Sequence, residues 1–360
     1  MTDSAAMDVL IVGAGISGLS AAHALIQHGL RVSVFEALGH IGGRLRSTPD
    51  GLDLGATWFW DKEPRIARLV QDLGLTIDPQ HIAGDALFQE IDRVERLAGN
   101  PLDGPSNRIR GGAQQLALAL ARELPPRTVT VDRKVRSVTS AGDHLDVATS
   151  HGTVSAAHVV IALPPAAAVW GIAFVPPLPA DLAAMAARTP VWMGAMTKVV
   201  VRYDQPFWRE AGLAGSAVSL IGPMREIHDM SGPDGTPAAL FGFVPSTRVG
   251  EPTVTHQAVI DQLVQLFGNA AAAPRGIMIA DWRREPFMSP PGVEALHDYR
   301  GFGNQLFRDS VMDGRLHWSS TETAVQFPGH IEGALEAAER TVATILEQPG
   351  LLDGQTSHPA

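Results

Sequence analysis

Val9-Leu10-Ile11-Val12-Gly13-Ala14-Gly15-Ile16-Ser17-Gly18, followed by Val32-Ser33-Val34-Phe35-Glu36, is the stretch that decides the fold. The apolar run Val9 to Val12 has buried-strand character. After the glycine-rich turn, residues 16–28 set Ile16, Leu19, Ala22 and Ile26 on one helix face, and Gly29 ends the helix. Val32 to Phe35 reads as a second strand that closes on Glu36. In this β–α–β unit Gly13 permits the tight turn and Gly15 lets the backbone approach a pyrophosphate. Gly18 lets helix and strand pack closely, and the helix N-terminus offers amide donors and partial positive charge. Glu36 falls where a carboxylate accepts both hydroxyls of an adenosine ribose. The unit predicts a dinucleotide site without separating NAD from FAD.

Outward from this unit, residues 65–73 read as a helix ending at Gly74, and 113–123 as another. Residues 77–110 carry little periodicity and a Gly/Asn/Pro-rich stretch, which predicts a crossing between domains. Val129–Val138, Leu145–Ala148 and Thr153–Leu163 read as strands of an antiparallel meander. Strands at Lys198–Tyr203, Ala217–Ile221, Ala239–Val244 and Gly276–Ala280, with a helix near Thr255–Phe267, predict a second, mixed α+β domain. Arg315–Trp318 leads to a helix over about 331–346, and the polar residues 349–360 read as a frayed, disordered tail.

The chain of 360 residues suits two cores better than one. Apolar residues make up 45% and charged ones 18%, an ordinary globular balance. The net charge of −10, with no Lys/Arg run, argues against a nucleic-acid partner. There is no cysteine, which excludes disulfides, a thiolate nucleophile and a thioether to a cofactor. The histidines show no metal-ligand spacing, so no metal site is expected. No stretch is long and apolar enough to span a membrane and no signal peptide is visible, so no membrane partner and a cytoplasmic location are the expectations.

The segment after the ribose-binding acid, His40-Ile41-Gly42-Gly43-Arg44-Leu45-Arg46-Ser47 and then Asp53-Leu54-Gly55-Ala56-Thr57-Trp58, resembles the flavin amine oxidase family. The resemblance continues in order through Arg108–Gly112, Val160–Pro165, Phe174–Pro179, Thr197-Lys198-Val199-Val200-Val201 with Pro206-Phe207-Trp208, Thr321–Ala324 and Gly329–Ala334. It implies an α/β fold: an FAD-binding Rossmann-like domain of the glutathione-reductase type and a second mixed α+β substrate domain. The expected division is 1–76, 106–176 and 282–348 for FAD, with 77–105 and 177–281 for substrate.

The resemblance also implies roles. FAD, held non-covalently, is the cofactor, with Gly13, Gly15, Gly18, Glu36, Gly43, Arg44, Thr57, Val135, Trp282, Glu322 and Ile331 as its contacts. Lys198 matches a lysine that holds a water against flavin N5. Trp282 packs on the flavin, Val135 offers a backbone contact to adenine, and the helix at Ile331 aims its N-terminus at the flavin's pyrimidine carbonyl. The implied activity is oxidation of a small-molecule amine by hydride transfer to flavin N5, giving an imine and then a carbonyl, with molecular oxygen reoxidising the flavin to yield hydrogen peroxide. A desaturase acting on C–C bonds and a flavin-binding protein without turnover are alternatives, and a homo-oligomer stays open. The chain departs from the family pattern at His330, where many members place an aromatic that squeezes the substrate amine. His330 is therefore a candidate catalytic residue: a base, a selector for a carboxylate, or a histidine that only supports the helix start. No tyrosine stands near Phe287-Met288 to supply the other aromatic. The family's long helical insertion is reduced to about 77–105.

Overall fold

The computed structural model describes residues 7–245, 254–285 and 287–348, so the expected tail at 349–360 lies outside the described residues. The chain divides into two compact units, Met1–Gly43, Leu116–Trp192 and Ala295–Ala360 in the first, Arg44–Gln115 and Met193–Glu294 in the second.

The first unit is built on an eight-stranded sheet. Strand Met7–Val12 pairs in parallel with Val32–Phe35 on one side and Gly152–Ile161 on the other, with the helix Ile16–Gln27 as the crossover. This is the expected β–α–β unit. Val135–Ser140, Leu145–Thr149 and Gly152–Ile161 form the antiparallel meander. The strand expected over 129–138 is two strands: Val129–Thr130 pairs in parallel with Val32–Phe35, and a turn with Asp132 at φ 55° precedes Val135. Leu316–Trp318 adds in parallel beside Val159–Ile161. The core collects Leu10, Val12, Val138, Val147, Val159, Ile161 and Trp318, and Leu182, Met185 and Ala186 of the helix Ala180–Arg188 pack onto it.

The second unit holds a seven-stranded sheet ordered Gly276–Asp281, Met196–Tyr203, Ala238–Pro245, Glu226–Asp229, Leu213–Ser219, Asp85–Gln89, Val94–Leu97. The segment read as an aperiodic crossing thus contributes a hairpin to this sheet, and Ile77–Pro79 pairs with Asn107–Ile109. Alternation sorts the strand Met196–Tyr203 between two faces. Val199, Val201 and Tyr203 pack under the helix His256–Phe267. Val200 packs on the opposite face with Leu52, Met230, Ala239 and Phe241, and Leu54, Trp58, Phe243 and Met278 join it.

The unit boundaries differ from the expected division, for local reasons. Residues 44–76 and 106–115 belong to the second unit, where the Ala56 N–H donates to the Arg44 carbonyl and Phe59 bridges Asn107. Residues 177–192 belong to the first, through the packed helix Ala180–Arg188. Residues 282–294 join the second unit, tied by Trp282 to Leu54 and by Glu285 to Arg46.

Candidate functional site

In the first unit the glycine loop shows what each glycine does. A Cβ on Gly13, at φ 107°, would lie 2.9 Å from the Ala162 carbonyl oxygen, and one on Gly18 only 2.1 Å from that of Gly13. Both positions are closed by protein. A Cβ on Gly15 would meet nothing within 4 Å, and Gly15 caps the helix Ile16–Gln27 without any side-chain hydrogen bond. The first-turn N–H groups of that helix therefore face an open cradle, which fits the pyrophosphate of a dinucleotide. Gly43, at φ 55°, brings the chain back so that its Cβ position is 3.4 Å from the Gly15 Cα, and the Gly42 N–H donates to the Ala14 carbonyl at 2.9 Å.

Glu36 is buried at the end of its strand. Its Oε2 accepts the Ala14 N–H and its Oε1 the Leu38 N–H, both at 2.9 Å. Each oxygen keeps a second lone pair, so the carboxylate can also receive ribose hydroxyls. Val135 is buried at the start of its strand as part of the core. The loop Ser319–Thr323 meets the same helix, because the Ser17 hydroxyl lies 2.7 Å from the Ser319 hydroxyl and 2.9 Å from its carbonyl oxygen. Glu322 is fully buried and accepts the Trp192 N–H at 3.2 Å. Ile331, buried, begins the helix Ile331–Leu346.

His330 is the N-cap of that helix by backbone, but its imidazole makes no capping hydrogen bond. Its carbonyl accepts the Thr321 hydroxyl at 2.8 Å, and its ring lies 6.1 Å from that of Phe327. Beside it, the Cβ position of Gly329 is 2.7 Å from the Trp192 indole, which is flanked edge-on by Tyr299 at 5.5 Å and Phe302 at 6.4 Å. The sequence reading missed this aromatic group. Its members are spread over more than a hundred residues, and no periodicity joins them.

In the second unit the loop 53–57 gathers the remaining candidates. The Lys198 ammonium donates to the Gly55 carbonyl, the Thr57 hydroxyl donates to the same oxygen at 3.3 Å, and the Trp282 indole N–H donates to the Leu54 carbonyl at 2.9 Å. A Cβ on Gly55 would lie 1.9 Å from the carbonyl oxygen of Arg44, so only glycine lets that loop pass beneath Arg44. Lys198 is 5% exposed, with Phe243 and Phe241 ring centroids 5.2 and 5.7 Å from its nitrogen. Burial pushes the ammonium down and the Asp53 charge pushes it back up, leaving it at about 8. No helix among the described residues is long and apolar enough to cross a membrane.

Two family profiles match the chain. One described as NAD(P)-binding Rossmann-like domain matches residues 11–73, and one described as Flavin containing amine oxidoreductase matches residues 94–346. The Dictyostelium discoideum protein named "Probable flavin-containing monoamine oxidase A" is 25% identical over 452 aligned positions, covering 95% of this chain and 98% of that protein. That alignment is longer than the 360 residues of this chain, so at least 92 of its positions have no residue here. An L-amino acid dehydrogenase of Synechocystis is 29% identical over 250 residues, 66% of this chain and half of its own length. The solved structure of cyclohexylamine oxidase from Brevibacterium oxydans superposes with a TM-score of 0.83 at 24% identity, covering 95% of this chain and 99% of that one. With the larger profile spanning more than half of the sequence, on a fold that carries the dinucleotide cradle, the chain belongs to the flavin containing amine oxidoreductases, an FAD-dependent enzyme family.

Proposed function

We propose that this protein oxidises a small-molecule amine at the C–H bond beside nitrogen, with molecular oxygen as the electron acceptor and hydrogen peroxide as the second product. Bound FAD supplies the two-electron chemistry, taking hydride at its N5. The residues of this chain supply orientation and electrostatics. The glycine loop and its helix N-terminus hold the pyrophosphate, and Glu36 holds the ribose. Gly43 and Arg44 complete the phosphate contacts, and Thr57, Val135, Trp282, Glu322 and Ile331 hold the rest of the cofactor.

The observation that carries the oxidase reading is Lys198. A cation buried to 5% exposure, with an aliphatic stem threaded through an apolar sheet face, is costly to keep unless it has work to do. Its proposed work is to hold a water for proton delivery and to stabilise negative charge as oxygen is reduced. His330 is proposed to meet the substrate, favouring an amine that also bears a polar or acidic group.

The test is an anaerobic absorbance titration of the purified yellow protein with a panel of simple amines, amino acids and polyamines, followed by admission of oxygen with peroxide detection. Bleaching by at least one amine, and one peroxide per flavin turnover, is the expected result. Bleaching without peroxide would move the protein to the dehydrogenases, as the Synechocystis relative is named. No bleaching by any amine, with bleaching by a compound that loses hydrogen across a C–C bond, would overturn the amine reading.

A further inference from the structure

Asp53 is a buried carboxylate that the proposed chemistry does not use. It is 2% exposed and sits two residues before Gly55, the residue whose carbonyl holds the Lys198 ammonium. Its Oδ1 accepts the Ser47 hydroxyl at 2.6 Å and the Ala113 N–H at 2.8 Å. These two donors fix the carboxylate in place. They are also the type of partner that favours its ionised form.

Two cations act on it, Arg108 and Lys198. Arg108, buried in the strand Asn107–Ile109, donates both terminal nitrogens to the carbonyls of Met230 and Ser231 and acts on Asp53 only through space. Asp229 and Asp78 act on Arg108 in turn, as does Arg209, and Asp229 is already paired with Arg209 at 2.7 Å. On the strand beside Lys198, Asp281 is paired with Arg283 at 2.7 Å. The Lys198 nitrogen has the Gly55 carbonyl as its hydrogen-bond acceptor and lies over the rings of Phe241 and Phe243. A carbonyl dipole and two ring quadrupoles favour a cation, yet none of them carries a formal charge.

We infer that Asp53 is a positioning residue which acts through Lys198: its fixed negative charge keeps the buried lysine an ammonium, while the Gly55 carbonyl sets the direction in which that ammonium points. Burial raises the Asp53 carboxyl to about 6, and Ser47, Ala113, Arg108 and Lys198 hold it down from going higher. Lysine stands at about 8 under the opposing pulls of burial and Asp53. Near neutrality the pair is therefore charged on both sides, and removing the carboxylate charge leaves burial to act on Lys198 alone. The inference deepens the role proposed for Lys198, since an uncharged amine at that place would stabilise no negative charge.

The test exploits the composition, because Lys62, Lys134 and Lys198 are the only lysines in the chain. The flavin-loaded protein is labelled with 13C,15N-lysine, the Lys198 Cε and Nζ signals are assigned by their loss in Lys198→Met, and their shifts are followed against pH. Asp53→Asn, which keeps an oxygen for the Ala113 N–H, is expected to lower the Lys198 midpoint by about one pH unit or more. In the wild-type protein the same signals should show a second, smaller inflection near 6, where Asp53 takes up its proton. That reading needs no variant, and so survives if Asp53→Asn does not fold. A Lys198 midpoint unchanged in Asp53→Asn, or a wild-type titration with a single inflection, would overturn the inference whatever the turnover. In parallel, the pH profile of flavin reoxidation by oxygen is expected to move with the Lys198 midpoint. If the midpoint falls and that profile stays, the inference holds and the role proposed for Lys198 in oxygen reduction fails.

Discussion

Glu36 accepts the Ala14 N–H at 2.9 Å, so the carboxylate expected to bind ribose is also part of the glycine loop's own framework. Its other oxygen holds Leu38. Glu36→Gln keeps one acceptor oxygen and loses the charge. The FAD dissociation constant is expected to rise roughly ten- to a hundredfold, about 1.5–3 kcal/mol for lost charge-assisted bonds. Melting of the flavin-free protein should also drop, because one backbone N–H loses its partner. Isothermal titration with FAD and a thermal melt separate the two effects.

Gly15 and Gly18 make a contrasting pair. Gly15 has φ −74° and open space at its Cβ, so Gly15→Ala should fold normally. The added methyl occupies the cradle, and FAD affinity is expected to fall by about tenfold or more, the worth of one charge-assisted hydrogen bond. Gly18→Ala sets a methyl against the Gly13 carbonyl and should destabilise the unit by roughly 1–3 kcal/mol or more. Circular dichroism melts with and without FAD should show a ligand defect in the first and a fold defect in the second.

Lys198→Met replaces the buried ammonium with a thioether of similar length. Flavin should still bind, and the reaction of reduced flavin with oxygen should slow by about 10²–10³-fold, the usual cost of one preorganised electrostatic group. Stopped flow times reduction and reoxidation apart. Wild-type rates in both would make Lys198 a structural residue.

His330 leaves the helix Ile331–Leu346 uncapped by its side chain, so replacing it costs no cap. His330→Tyr is expected to shift the ratio of kcat/KM toward simple aromatic amines. An unaltered substrate ranking would remove His330 from the substrate site.

His158 and His317 give a stability prediction with a definite sign. Both are buried on adjacent parallel strands, with His158 Nδ1 3.2 Å from His317 Nε2. Burial and the Arg315 charge hold His158 at about 4, and burial, His158 and Arg340 hold His317 at about 3. An unfolded histidine titrates near 6.5, so between about 6.5 and 4 the unfolded chain binds protons that the folded chain refuses. Stability is complete above that window and falls as the pH drops through it. Urea midpoints measured from pH 7 to 4 should fall, and fall less steeply in His317→Gln.

The parts of this fold legible in the sequence are those whose chemistry permits few residue types. Gly13 and Gly18 announce themselves because protein atoms close on their Cβ positions, and Gly15 and Glu36 because the dinucleotide motif tolerates few other residues at that spacing. The run Val199-Val200-Val201 reads as a strand because both of its faces are covered. Val94-Glu95-Arg96-Leu97 did not read as a strand. It is a solvent-facing edge with three residues exposed, and its conformation comes from pairing with Asp85–Gln89 rather than from its own pattern. Asp53 carried a signal that went unused. An acidic residue set between Leu52 and Leu54 in a loop under a family motif is a candidate for burial, and burial is what gives it influence over Lys198.

The short strand Leu316–Trp318 and the helix Ile331–Leu346 belong to the same unit as the glycine loop near the start of the chain. During synthesis a ribosome that has released the first 300 residues has made the glycine loop and most of the sheet, but not the strand that lies beside Val159–Ile161. Until Leu316 emerges, that edge is unpaired and open to wrong partners. The first unit thus reaches its native form only once residues 316–346 have emerged, and a nascent chain stalled before Leu316 should be a client of chaperones, unable to retain cofactor.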